Sequence, residues 1–203
     1  MISNKKMVEL GQWWFKYRSY SPLPLLFVGI LYPVYNVSSF SFNFSLGLIL
    51  ILIGELGRTW CVGYAGGITR TRSGDLHSLI TTGPFYYVRN PIYIFNMIMY
   101  AGVTLVLNVP IIVPFMAVYF FLQYSFIVAY EEKILEEKFG AEYLNYKKHV
   151  PRWIPRLICN IKRSDHPFLL KEAMKSEKKT INAIVISILI AVVKFFFWRW
   201  LAV

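Results

Sequence analysis

The chain has 203 residues, is 56% hydrophobic and 18% aromatic, and carries a formal net charge of +11. A soluble domain of this length does not need that much apolar surface, and several runs approach the ~20 helical residues that cross a hydrocarbon core. The cations are gathered in alternate linkers and no groove-reading module is visible, which argues against nucleic acid and for anionic lipid headgroups as the partner of the basic surface.

In chain order, residues 5–20 (KKMVELGQWWFKYRSY) mix Lys and Arg with Trp-Trp-Phe and read as an interfacial helix, with aromatics at headgroup depth and cations outward. Five apolar runs follow as candidate spans: Pro22–Val37, Phe44–Tyr64, Ile92–Asn108, Ile111–Ala129 and Ile181–Val203. The first two form a helical hairpin through an uncharged Ser-rich turn at 38–43. The second two form a tighter hairpin turned by Asn108-Val109-Pro110, with Pro91 at a helix start, where its missing N–H costs nothing. Lys and Arg flank residues 5–18, 70–89 and 133–179 and are absent from the turns at 38–43 and 108–110. That alternation places the N-terminus and the polar segments on the cytoplasmic side.

Within the second run, Glu55 and Arg58 stand three residues apart on one helix face. They read either as an intrahelical pair facing the bundle or as a polar wall of a cavity. After Ala129, Ile134, Leu135, Phe139 and Tyr143 recur at helical spacing among Glu and Lys, so the helix continues beyond the bilayer. Gly140 is placed to break or kink it, and Pro151 and Pro155 force an extended strap. Residues 156–180 are a basic connector. The last run holds Lys194 and Arg199 and spans with those cations snorkelling at its far end; a re-entrant or dimer-packing helix is the alternative. Cys61 and Cys159 have no partner spacing, so neither a disulfide framework nor a metal site is expected.

The chemistry-bearing residues lie in two stretches, 76–93 and 130–155. Ionisable groups kept at a bilayer edge mark function. Gly83-Pro84 makes a tight turn that lets backbone approach a ligand, Arg89 offers a forked donor for a carboxylate or phosphate, and Tyr86, Tyr87 and Tyr93 offer aromatic faces for a purine or a cation. Glu131 and Glu132 hold negative charge at the rim. Together these suit a ligand with adenine, ribose, carboxylate and positive charge, as in S-adenosyl-L-methionine.

The two stretches resemble the signatures of the membrane methyltransferase superfamily that includes isoprenylcysteine carboxyl methyltransferases and phosphatidylethanolamine N-methyltransferases. Its pattern runs H-x-L, G-x-Y/F, R-H/N-P-x-Y, a helical hairpin, E-E, and F-G-x-x-Y-x-x-Y-x-x-x-V-P. The matching residues are His77, Leu79, Gly83, Phe85, Arg89, Asn90, Pro91, Tyr93, Glu131, Glu132, Phe139, Gly140, Tyr143, Tyr146, Val150 and Pro151. The resemblance covers about 68–155 and implies S-adenosylmethionine as methyl donor, a lipid or lipidated acceptor reached through the membrane, and no metal. By resemblance the cofactor contacts fall on Arg70, His77, Ser78, Leu79, Ile80, Gly83, Phe85, Arg89, Asn90, Pro91, Ile92, Tyr93 and Glu131, with Glu132, Glu55 and Arg58 as candidate catalytic groups. His77, Arg89 and Glu131 should therefore converge on a cavity large enough for an adenosyl group. Two departures stand out: Asn90 where prenylcysteine enzymes have histidine, and Ile127 where they carry an acceptor-engaging arginine four residues before the first glutamate.

The expected fold is all-α and polytopic, with about five transmembrane helices in a single domain: an N-terminal interfacial helix to residue 21, a cofactor-binding core over 66–155, and a connector with C-terminal helix over 156–203. A monomer or homodimer in a bacterial or archaeal plasma membrane is favoured over an endoplasmic reticulum protein. The alternative function is an NADPH-dependent membrane reductase of the sterol or steroid type, with Arg70 and Arg72 holding a 2′-phosphate. A non-enzymatic scaffold or transporter subunit should instead leave broken-helix signals in two halves, and none is present.

Overall fold

The computed structural model describes residues 4–33, 37–66 and 78–201, and among them every regular element is helical. The helices are α1 (Asn4–Tyr17), α2 (Leu23–Leu31), α3 (Val37–Tyr64), the single turn α4 (Pro84–Tyr87), α5 (Pro91–Val106), α6 (Ile112–His149) and α7 (Leu170–Leu201).

Three of these, α3, α6 and α7, are long and apolar enough to cross a membrane, and α5 is a shorter apolar helix. The polytopic all-α expectation therefore stands, with one difference at its start. The run Pro22–Val37 contains a helix of only nine residues, about 14 Å at 1.5 Å per residue, against a hydrocarbon core of about 30 Å. The cause is local. Pro33 disfavours the helical region for the residue before it, and Tyr32 adopts φ −69°, ψ 126°.

Lipid tails are as apolar as leucine, so helices pack here by close approach rather than by escape from water. α3 lies against α5 with Gly47 facing Gly102: a Cβ on either would stand 2.7 Å from the other's carbonyl oxygen. Ile51, Val103, Val106, Leu107, Val109 and Ala191 form the buried cluster where α3, α5 and α7 meet. The α5–α6 turn is made by Asn108 at φ 58°, a left-handed conformation that asparagine tolerates, and Asn43 donates to its side-chain oxygen at 2.7 Å.

At 38 residues, α6 is about 57 Å long, nearly twice the hydrocarbon thickness, so part of it must leave the bilayer. Its apolar stretch ends at Ala129. Gly140, at φ 48° and ψ −120°, breaks the helix where the sequence places a break. α1 packs along α6, with Gly11 against the Phe126 carbonyl and the Phe15 and Tyr130 rings 5.8 Å apart.

The connector divides in two. Residues 156–169 are extended and tied down: Thr81 N–H donates to Ser164 Oγ at 3.0 Å, and Leu169 N–H donates to the Gly63 carbonyl at 2.9 Å. From Leu170 onward the chain is already α7, eleven residues earlier than the apolar run begins. Lys194 does not snorkel. It is buried, and its ammonium donates to the carbonyls of Leu107, 2.5 Å, and Gly29, 2.7 Å. A cation there satisfies the open C-terminal carbonyls of α5.

Gly102→Val should lower the stability of the detergent-solubilised protein by about 1–3 kcal/mol, because the added methyls meet the α3 backbone, which cannot yield. Thermal unfolding checks this; an unchanged midpoint would show that α3 and α5 are not in contact at this position.

Candidate active site

Gly83 sits at φ 57°, in the left-handed region, with the Tyr64 ring where a Cβ would be. The turn it makes delivers α4, whose four residues present hydrogen-bonding groups to the strap after α6. Tyr146 Oη donates to the Phe85 carbonyl at 2.7 Å and Tyr86 Oη to the Cys159 carbonyl at 2.5 Å. Arg156 N–H donates to the Tyr87 carbonyl and Arg89 N–H to the Pro151 carbonyl, both at 2.9 Å. Asn90 Nδ2 reaches the Arg152 carbonyl at 3.3 Å. Leu79, Tyr143, Tyr146, Val150 and Cys159 pack beneath this seam. Burial there raises the phenols of Tyr143 and Tyr146 above their ordinary range, which keeps both hydroxyls protonated.

The two glutamates are neighbours on a helix, so their side chains diverge by about 100°. Glu132 turns toward the seam. Arg89 Nε lies 3.3 Å from its Oε1, Arg152 pairs with its Oε2, and Arg89 NH1 donates to the Lys147 carbonyl at 3.0 Å. Arg89 is thus not a free fork, and Glu132 not a free base: each is spent on the other and on the strap. Glu131 turns toward α5, where Tyr93 Oη donates to its Oε2 at 2.9 Å. Two residues past the apolar stretch of α6, its carboxyl is pushed up to about 7 by burial, which the Tyr93 hydrogen bond and the Arg18 charge partly oppose.

Glu131 faces a cavity of about 650 Å³, within the range that holds drug-sized ligands. One end is walled by the motif residues Leu79, Ile80, Phe85, Asn90, Glu132 and Tyr143. The middle carries Arg58, Tyr93, Asn96, Tyr124 and Glu131, with the Tyr93 and Tyr124 rings 4.6 Å apart. The far end, among Leu26, Met99, Val103 and Ile184, is apolar. Arg58 holds Glu177 of α7 with NH2–Oε distances of 2.9 Å, and Asn96 takes its other amino group.

Most of the residues expected from sequence meet here. Leu79, Ile80, Phe85, Arg89, Asn90, Pro91, Ile92, Tyr93, Glu131, Glu132 and Arg58 all line the cavity. Ser78, Gly83 and Glu55 do not: the Ser78 hydroxyl lies 3.1 Å from His166 Nε2, Gly83 shapes the turn, and Glu55 stands beside Arg58 at 4.0 Å. Arg70 and His77 lie outside the described residues. Asn96 and Tyr124 were missed, although each sits on an anticipated face: Tyr93 and Asn96 are three apart on α5, and Tyr124 and Glu131 are seven apart on α6. The Arg58–Glu177 pair joins positions 119 apart, and no local pattern announces it.

A family model described as phospholipid methyltransferase matches residues 42–142. The chain is 27% identical over 126 residues to the nickel-cobalt-cadmium resistance protein NccN of Alcaligenes xylosoxydans xylosoxydans, covering 62% of this chain and 55% of that protein. It is 26% identical to the cobalt-zinc-cadmium resistance protein CzcN of Cupriavidus metallidurans, covering 56% and 49%. The protein-S-isoprenylcysteine O-methyltransferase of Saccharomyces cerevisiae is 28% identical over 164 residues, covering 75% and 67%. The chain thus spans about half the length of the first two relatives. No solved structure matches it.

Arg89→Met should loosen the strap, at a cost of about 1–3 kcal/mol for the lost charge-assisted bonds. Trypsin should then cut at Arg152 and Arg156 faster than in the parent protein. Equal cleavage rates would mean that Arg89 does not anchor the strap.

Proposed function

We propose that this chain, a member of the membrane methyltransferase superfamily of isoprenylcysteine carboxyl and phospholipid methyltransferases, is an S-adenosylmethionine-dependent methyltransferase for a lipid or lipidated acceptor. The observation that carries this reading is the two-ended cavity, which joins the motif residues to an apolar tunnel among Leu26, Met99, Val103 and Ile184.

The residues present fit the methyl donor. A buried carboxylate, Glu131, and the adjoining Tyr93 and Tyr124 rings offer negative charge and aromatic faces to a cation. Leu79, Ile80, Phe85 and Tyr143 offer an apolar clamp for a purine. When bound, S-adenosylmethionine supplies an electrophilic methyl group on a sulfonium. The protein's task is then alignment and the exclusion of water. The strap does the second: held by Arg89, Glu132 and Arg152, it closes the polar end of the cavity. The tunnel does the first, by admitting an apolar chain in one orientation.

A carboxylate acceptor needs no base, whereas an amine or hydroxyl must shed a proton. Glu132 is engaged by two arginines, so Glu131, whose carboxyl titrates near neutrality, is the cavity carboxylate placed to take it. The basic linkers put the N-terminus and this end of the cavity on the cytoplasmic side, in a bacterial or archaeal plasma membrane. The reductase alternative gains nothing from the cavity, since Arg58 and Arg89 are spent on Glu177 and Glu132 rather than open to a phosphate.

Purified protein should bind S-adenosylhomocysteine at micromolar levels and NADPH at least about a hundredfold more weakly. The reverse preference would replace this reading with the reductase.

The positively charged donor favours ionised Glu131. Its affinity should therefore rise as pH increases from 6 to 8, through the carboxyl's titration near 7. The neutral sulfide S-adenosylhomocysteine should show a much shallower profile. Glu131→Gln should flatten the donor's profile and weaken its binding about tenfold or more. Calorimetric titration reads all three, and an unaltered profile in the variant would remove Glu131 from the site.

A further inference from the structure

We infer that Arg18 and Lys179 form a cationic rim at a side opening of the cavity and that this rim selects an acceptor with an anionic head group on a hydrocarbon chain. The inference rests on the methyltransferase reading and assigns its acceptor class.

The cations around the cavity fall into two groups. Arg58 is neutralised by Glu177 and Arg89 by Glu132. Arg18 and Lys179 line the same cavity, and among the described residues neither has an ion-pair partner. Arg18 is nonetheless held in place. Its guanidinium lies 3.8 Å above the Phe15 ring, and NH1 donates to the Phe15 carbonyl at 2.7 Å. That leaves the remaining N–H groups of a fork suited to carboxylate or phosphate. Phe15 in turn packs on Tyr130, the residue before Glu131. One helical turn before Glu131, Ile127 is fully buried among Phe120 and Tyr124, so α6 brings no cation to this position. α1 brings one from outside the bundle instead.

The opening lies between α2 and α7. At one end the two helices are tied together, where Lys194 donates to the Gly29 carbonyl at 2.7 Å. Toward the other end the cavity separates them, with Pro22, Leu23 and Leu26 on one wall and Ala183, Ile184 and Ser187 on the other. Leu23 lines the cavity and is still 53% exposed; Lys179 and Ala183 are likewise both lining and exposed. The cavity is therefore open to its surroundings along this edge. Ser19 and Thr180 add hydroxyls beside the two cations, and below them the walls turn apolar. An amphiphile entering from the membrane would leave its head at Arg18 and Lys179, and its chain would run past Leu26 and Val103.

Tritiated oleate, oleyl phosphate and oleyl alcohol share one chain and differ in head group. Their equilibrium binding to purified protein in dodecylmaltoside, with S-adenosylhomocysteine affinity measured in parallel, tests the rim. At least one of the anions should bind about tenfold or more tighter than the alcohol, and which one does so separates a carboxylate source from a phosphate source. Arg18→Gln with Lys179→Gln should bring all three within about twofold of one another, Arg18→Lys should keep most of the preference, and S-adenosylhomocysteine affinity should not change. Equal binding of the three by the parent protein, or a preference that survives the double variant, would overturn the inference. A parallel loss of S-adenosylhomocysteine affinity would also overturn it, by assigning the two cations to the methyl donor's carboxylate. Lys179→Gln alone, at an exposed position, guards against misfolding and should reduce the preference by itself. If the parent protein fails to bind S-adenosylhomocysteine, the methyltransferase reading falls, while the head-group comparison still decides the rim.

Discussion

Neighbouring carboxylates on α6 point to different places, and the candidate site depends on that divergence. Glu132 closes a charged clasp with Arg89 and Arg152 that fastens the strap to the loop before α5. Glu131 is left facing the cavity with one tyrosine hydroxyl for company. A single shared role would satisfy neither need, because a clasp must be fully paired and a binding group must not be. Breaking a buried pair from one side leaves an uncompensated charge, so the clasp is costly to disturb. The main-chain bonds between 85–89 and 151–156 reinforce it.

The bilayer imposes the rest. Helices in lipid gain little by burying leucine against leucine, so α3 and α5 meet through Gly47 and Gly102, and polar groups at depth are all put to use. Lys194 closes the carbonyl end of α5, Asn43 and Asn108 brace the hairpin turn, and Arg58 with Glu177 joins α3 to α7 beside the cavity. These contacts fix the far end of the bundle while the near end stays parted. An apolar tunnel continuous with a polar chamber is the outcome, and it gives an insoluble acceptor a route to a water-soluble donor.

Much of this was legible in the chain. The break at Gly140, the start of α5 at Pro91, the turn at Asn108 and the convergence of the 79–93 and 131–146 segments all follow from local chemistry: left-handed φ, a missing donor, and polar groups held against apolar runs. What escaped was non-local. Tyr32 and Pro33 cut α2 to nine residues inside a run long enough to span. Glu177 looked like part of a solvated basic connector until α7 folded back and placed it, fully buried, on Arg58. Arg89 read as a ligand fork because nothing in the sequence says that Glu132 and the Lys147 carbonyl will occupy it. Arg18 read as an interfacial cation, since the turn that carries it into the cavity wall has no signature of its own.

The central claim is spatial: one chamber, bounded by the 79–93 and 131–146 segments, receives a nucleoside. Photolabelling with 8-azido-S-adenosylhomocysteine, followed by peptide mapping, tests it directly. The account predicts adducts in those two segments that excess S-adenosylmethionine suppresses. Suppressible adducts confined to other segments, or labelling that competitor leaves untouched, would contradict it.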